Sequence, residues 1–404
     1  MSEYRRNITM ADVIADEQIL YHSPDSDGLY CYTPWLDHGF NGRIFASFDI
    51  SGDALPKEEG PKSDHGDHHG NQLRIYASDD NGKSWQEKTR LPMLHARVFT
   101  AGKTVYALGH SHRLSIAKSQ DNGETWSEVF VLDDTARWHQ SSGSYERHNG
   151  RIYITMEHVP HETNWAGGDP VLMSANENDD LTKAENWTFS NKMKFSDTVE
   201  LVAPPAGKKP YCWLESSVVF QRDENNIFYD ETFKSMLVFL RVNRGRFPDQ
   251  AMILRGTEKE DGSLELSTLK DSDGNTVLYT CLPGAYMKFQ IIWDEPTKLY
   301  WLIASRSRMT TFSKMENMPS FVQWFDERRR LELFYSKNLF DWCSAGVVAQ
   351  GNTEVESRHY ASLLPAGDDL LVLSRSGDAD TKNSHETNMI TLHRVKNFRS
   401  LSAL

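Results

Sequence analysis

The sequence predicts an all-β fold, a six-bladed β-propeller, and three observations carry that prediction. Two stretches match the pattern Ser-x-Asp-x-Gly-x-x-Trp: Ser78-Asp79-Asp80-Asn81-Gly82-Lys83-Ser84-Trp85 and Ser119-Gln120-Asp121-Asn122-Gly123-Glu124-Thr125-Trp126. They lie 41 residues apart, which is about one propeller blade. Six times, a β-run, a turn and a second β-run ending in polar residues recur along the chain. Aromatic residues make up 11% of the sequence, with 11 Trp and 15 Tyr, which suits sheets and a carbohydrate-binding face.

The repeated pattern makes sense as a turn. Its Asp can accept hydrogen bonds from the turn's own backbone N–H groups. Its Gly takes a positive φ that a β-carbon would penalise. Its Trp folds back between layers. A degenerate version spans 174–187, and Ser336-Lys337-Asn338-Leu339-Phe340-Asp341-Trp342 keeps the Ser and a nearby Trp.

The second β-runs are the clearest part of the repeat: 42–50, 103–112, 150–159, 235–243, 298–306 and 368–376. Each alternates as a half-buried strand does. The strands before them begin near Tyr32, His95, His139, Glu215, Lys288 and Tyr360. Residues 390–398 form a further strand able to close the ring, which would leave few free sheet edges. One domain over 1–404 is expected, with 1–20 as a lead-in to the first blade. In such a ring the polar residues that start each first strand and end each second strand converge on one mouth.

Charge and composition narrow the partners. The net charge of −13 argues against nucleic acid and against an anionic membrane surface. An acidic substrate needs a local arginine cluster. No stretch is apolar enough to span a bilayer, and residues 1–18 carry no hydrophobic signal core. The expected location is therefore the cytoplasm, or the periplasm or exterior if a leader precedes the chain. Cys31, Cys212, Cys281 and Cys343 show no zinc-type spacing, so free thiols are expected. No cofactor is expected, and oligomeric state is not legible.

The paired turns resemble the Asp-box of the sialidase (neuraminidase) superfamily. That resemblance extends to single residues. In the family, a Glu-x-x-Val-Val segment followed by a β-run ending in Arg supplies two active-site groups. Here the matches are Glu215, before Val218-Val219, and Arg241, at the end of Val238-Phe239-Leu240-Arg241. The resemblance implies that Glu215 activates a nucleophile and Arg241 grips a substrate carboxylate. A second family arginine lies eight residues before the Ser of a late Asp-box, which is Arg328 before Ser336. The family's nucleophilic tyrosine opens the last hairpin, where Tyr360 stands. Its acid/base aspartate lies on a loop before the first Asp-box, where Asp67 stands eleven residues before Ser78.

One departure matters. Where the family has an arginine two residues before a proline, this chain reads Tyr32-Thr33-Pro34. A phenol cannot replace a bidentate guanidinium. Either Arg358 or Arg375 substitutes, or the substrate is not a standard sialic acid. His139 and Lys288 are further substrate-binding candidates.

The reaction implied is retaining hydrolysis of a terminal acidic sugar. A neutral phenol approaches an anomeric carbon bearing a carboxylate without the like-charge repulsion of Asp or Glu. Sialidases are the known exception to the two-carboxylate rule. Histidines supply rival readings. His110, His112, His139 and His158 fall near the mouth and suit a uronate lyase, in which His or Tyr removes a proton beside an arginine-neutralised carboxylate. Arg241, Lys288 and Tyr360 serve that scheme equally. A propeller that only binds carbohydrate is the third reading. The cluster Asp64-His65-Asp67-His68-His69 has ligand types for a metal, but such loop runs are ordinarily solvated, so no metal is expected.

Overall fold

The computed structural model describes residues 13–64, 70–159, 167–204, 207, 209–244, 247–307, 327–353 and 355–402. The described chain is almost all antiparallel β-structure, with one five-residue α-helix, Phe195–Val199. No described helix is long and apolar enough to cross a membrane. All four cysteines are free thiols.

The strands form five sheets. The first runs Tyr30–His38, Ile44–Ser51, Asn71–Ser78, Gln86–Leu91. The second has seven strands, because two of the expected hairpins share it. Its strand Thr104–Ser119 runs on past the expected end at 112 and pairs with both Leu94–Ala101 and Phe130–His139. Phe130–His139 in turn pairs with Arg151–Val159, which continues to Asp169–Asn176 and Trp187–Phe189. The third is built on Cys212–Val219, Ser235–Asn243, Gln250–Glu258 and Leu264–Lys270. In the fourth the order is Gln290–Asp294, Leu299–Ser305, Arg330–Ser336, Cys343–Gln350. The fifth runs Arg358–Ala366, Asp369–Ser376, Met389–Val395, Ala15–His22.

That last sheet corrects the expectation for the N-terminus. Residues 15–22 are not a lead-in to the first sheet. They pair with Met389–Val395 as the outer strand of the fifth, so the first and last described strands share one sheet.

Apolar seams join the sheets in cyclic order. Phe45 and Ile75 of the first pack with Val98 and Val105 of the second. Tyr153 and Leu172 pack with Val238 and Leu254 of the third. Phe239 meets Leu302 of the fourth, and Trp301 meets Val372 of the fifth. Leu371 and Leu392 return to Ile44 and Phe48 of the first. Each such buried side chain stabilises the fold by about 1.5–3 kcal/mol.

One irregularity recurs on the inner strands. A register shift falls between Tyr32 and Trp35, Leu94 and Arg97, Leu214 and Ser217, and His359 and Ser362. Within three of these bulges a non-glycine residue has positive φ: His95 at 49°, Glu215 at 54° and Tyr360 at 52°. Such conformations cost of order 1–3 kcal/mol each and concentrate at functional sites. Neighbouring sheets hold the bulged backbone. The Ser216 carbonyl accepts from Gln140 Nε2 at 2.6 Å and Thr155 Oγ1 at 2.9 Å. Ser362 Oγ accepts the Leu36 N–H at 2.9 Å.

Candidate functional site

The bulged residues meet in one cavity of about 100 Å³. Tyr32, Glu215, Tyr360 and Arg375 line one part of it, and His95, His110 and His139 another.

Tyr360 and Glu215 come from different sheets and form one hydrogen-bonded group. Arg241 Nη1 donates to Glu215 Oε2 at 2.8 Å and to Tyr360 Oη at 2.5 Å. The Glu215 carboxylate and the Tyr360 hydroxyl thus meet on one guanidinium nitrogen. Arg241 Nε is fixed on the Tyr286 carbonyl at 2.8 Å. All three side chains are buried. Burial works to raise the pKa of Glu215, but the Arg241 charge and the hydrogen bonds outweigh it, so the carboxyl lies below its usual range. Burial pushes the Tyr360 phenol above its usual range, against the pull of Arg241. The resting pair is therefore a neutral phenol beside a carboxylate, with a guanidinium touching both.

Two more guanidiniums approach Tyr360. The Cζ atoms of Arg241, Arg328 and Arg375 lie 5.8, 5.7 and 5.6 Å from the Tyr360 ring centre. Arg328 Nη1 also contacts His359 Nδ1 at 3.2 Å. Of the two arginines that the sequence offers for the missing first arginine, the structure places Arg375 at the cavity. Its Cζ stands 4.2 Å from the centre of the Tyr32 ring, so Tyr32 carries the guanidinium on its face.

Arg358 and Lys288, expected as substrate ligands, are not among the residues that line the cavity. Arg358 is bidentate to Glu17 at 2.9 and 3.0 Å, and its Nη1 donates to the Ser357 and Gly377 carbonyls at 2.8 Å. It ties the N-terminal strand to the last sheet. Lys288 is fully buried and donates to the Ala361 and Tyr360 carbonyls at 2.9 and 3.4 Å. It supports the backbone of the Tyr360 bulge, and burial lowers its pKa to about 7. Asp67 lies outside the described residues, as do His65, His68 and His69.

The histidines have partners that the sequence reading did not single out. His95 Nδ1 lies 3.2 Å from Asp49 Oδ1, and His139 Nδ1 lies 3.6 Å from Glu157 Oε2. Glu157 Oε1 also accepts the Glu215 N–H. Both carboxylates are fully buried. Their signal in the sequence was a lone acid inside an apolar strand, SFDI for Asp49 and TMEHV for Glu157.

No family model matches the sequence, and no curated protein is similar to it at the sequence level. Solved structures are similar in shape. Trypanosoma rangeli sialidase in complex with 2,3-difluorosialic acid, titled a covalent intermediate, aligns at TM-score 0.57 and 13% identity. The alignment covers 97% of this chain and 60% of that one. Penicillium chrysogenum α-L-arabinanase with arabinobiose aligns at 0.51 and 13%, over 95% and 98% of the two chains. A Dyadobacter fermentans protein of unknown function aligns at 0.57 and 12%, over 94% and 98%. The likeness is one of fold. This chain has a β-propeller-like fold, and it spans about 60% of the trypanosomal enzyme's length.

Proposed function

We propose that this protein is a six-bladed propeller glycoside hydrolase that releases a terminal acidic sugar with retention. The observation that carries the reading is the group of Tyr360, Glu215 and Arg241 inside a cluster of three arginines. Burial first, and then the neighbouring Arg328, disfavour the charged form of Arg375. In a chain of net charge −13, such a concentration of positive charge suits an anionic ligand.

The chemistry follows from the contacts. Glu215 takes the phenolic proton as Tyr360 Oη bonds to the anomeric carbon and the glycosidic C–O bond breaks. Arg241, already on both atoms, stabilises negative charge as it develops on the phenol oxygen. Asp67 is the acid that protonates the leaving oxygen and then the base that activates water against the tyrosyl–glycoside. Arg328 and Arg375 are assigned to the sugar's carboxylate.

One observation favours a second reading. Neutral imidazole and a tyrosine beside arginines share the cavity, as a uronate lyase requires; burial and the neighbouring imidazoles hold His110 well below the usual histidine range. Mass spectrometry of products from sialylated and uronate-capped glycans, run beside Tyr360→Phe, separates the two. A released acid sugar with one added water, lost in Tyr360→Phe, supports the hydrolase. Fragments whose summed mass contains no added water support the lyase, and no product from any glycan counts against both.

A further inference from the structure

Three imidazoles that the hydrolase reading leaves without a task meet at the same cavity. His95, His110 and His139 bring ring nitrogens within 4.8 Å of one another, the only such trio of potential metal ligands among the described residues. Their ring centres are 5.2 to 5.5 Å apart. Each comes from a different strand: Leu94–Ala101, Thr104–Ser119 and Phe130–His139.

Buried carboxylates stand behind two of the three. Asp49 at His95 Nδ1 favours the tautomer with the proton on Nδ1 and the lone pair on Nε2, and Glu157 Oε2 lies 3.6 Å from His139 Nδ1, just beyond hydrogen-bond distance. His110 is 2% exposed; it has a single long contact, 3.3 Å from the Gln140 N–H to Nε2, and Nδ1 has no partner. No strong hydrogen bond competes for its lone pair.

We propose that His95, His110 and His139 bind one divalent transition-metal ion of the zinc class, with an open coordination position towards the cavity shared with Tyr360 and Glu215. Imidazole suits zinc and its neighbours, whereas magnesium and calcium take oxygen ligands. On a tetrahedral ion with metal–nitrogen bonds of about 2.0–2.1 Å, ligand nitrogens stand roughly 3.4 Å apart. Side-chain rotations of about an ångström close the trio to that spacing. Neutral imidazoles are the form in which histidine binds such an ion. Three protein ligands leave a place for water or a substrate oxygen. The ion would sit on the side of the cavity built by the second sheet, while the arginines come from the third, fourth and fifth. Metal binding requires no particular reaction, so this proposal stands apart from the hydrolase reading.

The test uses the full chain without an affinity tag, stripped by a chelator and titrated with Zn²⁺ alone and with Co²⁺ alone. One ion per chain is expected, with the visible absorption of four- or five-coordinate Co²⁺. His110→Ala and His139→Ala should each weaken binding at least about 100-fold, and Asp49→Asn about 10–100-fold. Melting followed by circular dichroism identifies a variant that fails to fold. His139→Gln, which keeps a polar side chain, then replaces it. The competing source is the run of His65, His68 and His69, so the variant with alanine at all three should keep the metal. Loss in that triple variant with retention in the His139 variants overturns the proposal. So does the absence of stoichiometric binding at micromolar Zn²⁺.

Discussion

At its outer turns this protein closes the backbone with side chains a few residues away; at its mouth it closes the site with side chains from distant strands. Asp80 Oδ1 accepts the N–H groups of Lys83 and Ser84 at 3.0 and 2.8 Å, and Ser78 Oγ accepts that of Gly82 at 2.8 Å. Asp121 and Ser119 repeat this with Thr125 and Gly123. The turn at Ser336 does the same with Asn338 for the Asp and Leu339, at φ 70°, for the Gly. By contrast, Tyr360 meets Arg241 across 119 residues of sequence. Local turns are self-sufficient, so they can be written as motifs. The mouth exists only once the sheets have been arranged around it.

The sharpest separation of the two regions is Tyr360→Phe. It removes one hydroxyl and no packing volume. Activity on a cleavable glycan should fall by about 10³-fold or more, as for loss of a nucleophile. Stability should change by only about 1 kcal/mol, the worth of a hydrogen bond. A variant that stays active places the chemistry elsewhere in the cavity.

Glu215→Gln should lose stability together with activity. It leaves the buried Arg241 without its counter-charge. Breaking one partner of such a pair costs about 3–5 kcal/mol. Urea melts should therefore show a large loss for Glu215→Gln and little for Tyr360→Phe, although both variants lose activity. Equal stability in the two would mean that the Arg241–Glu215 pair is not structural.

The same contrast explains what could be read from the sequence. The strand runs and the two boxes were legible because their signals lie within about ten residues. The outer strand Ala15–His22 was not: none of its eight residues is fully buried, and its partner strand, Met389–Val395, is more than 350 residues away. Glu215, Arg241 and Tyr360 were legible only through their likeness to a known pattern. Arg375 could not be chosen over Arg358, because the choice depends on which one Glu17 occupies. Lys288 looked like a ligand by type and position. Only its bonds to the Tyr360 and Ala361 carbonyls reveal a support for the bulge.

Lys288 yields a pH test of that support. Its folded pKa is about 7, below the ordinary value near 10.5. Between those values the unfolded chain holds a proton that the folded chain does not. Stability from this group therefore rises with pH through that window, by up to about 1.4 kcal/mol per unit. Below pH 7 both states are protonated and the cost of burying the charge is felt in full. Lys288→Met removes the titration and leaves two carbonyls without their donor, a loss that does not vary with pH. The stability of the wild type minus that of the variant should climb from pH 7 to pH 10. A flat difference would show that the ammonium is not buried as a charge.

The smallest effect tests whether rim and mouth are independent. Gly82 and Gly123 hold the same place in the two boxes, at φ 79° and 87°. Alanine at either site meets the left-handed penalty of about 1–2 kcal/mol. Their surroundings differ. A β-carbon on Gly82 would come 3.0 Å from Leu371 Cδ1, the end of a flexible chain. On Gly123 it would come 2.4 Å from Cε1 of Phe45, a ring with no exposed surface. Gly123→Ala should therefore lose about 1–3 kcal/mol more than Gly82→Ala, from overpacking. Phe45 lies on the strand that also carries Asp49, four residues and about 13 Å nearer the mouth. If that strand is rigid in its sheet, Gly123→Ala lowers the melting temperature and leaves activity per folded molecule unchanged. A fall in that activity would mean that a displaced Phe45 is felt at Asp49 and His95, and that the turns help to set the geometry of the site.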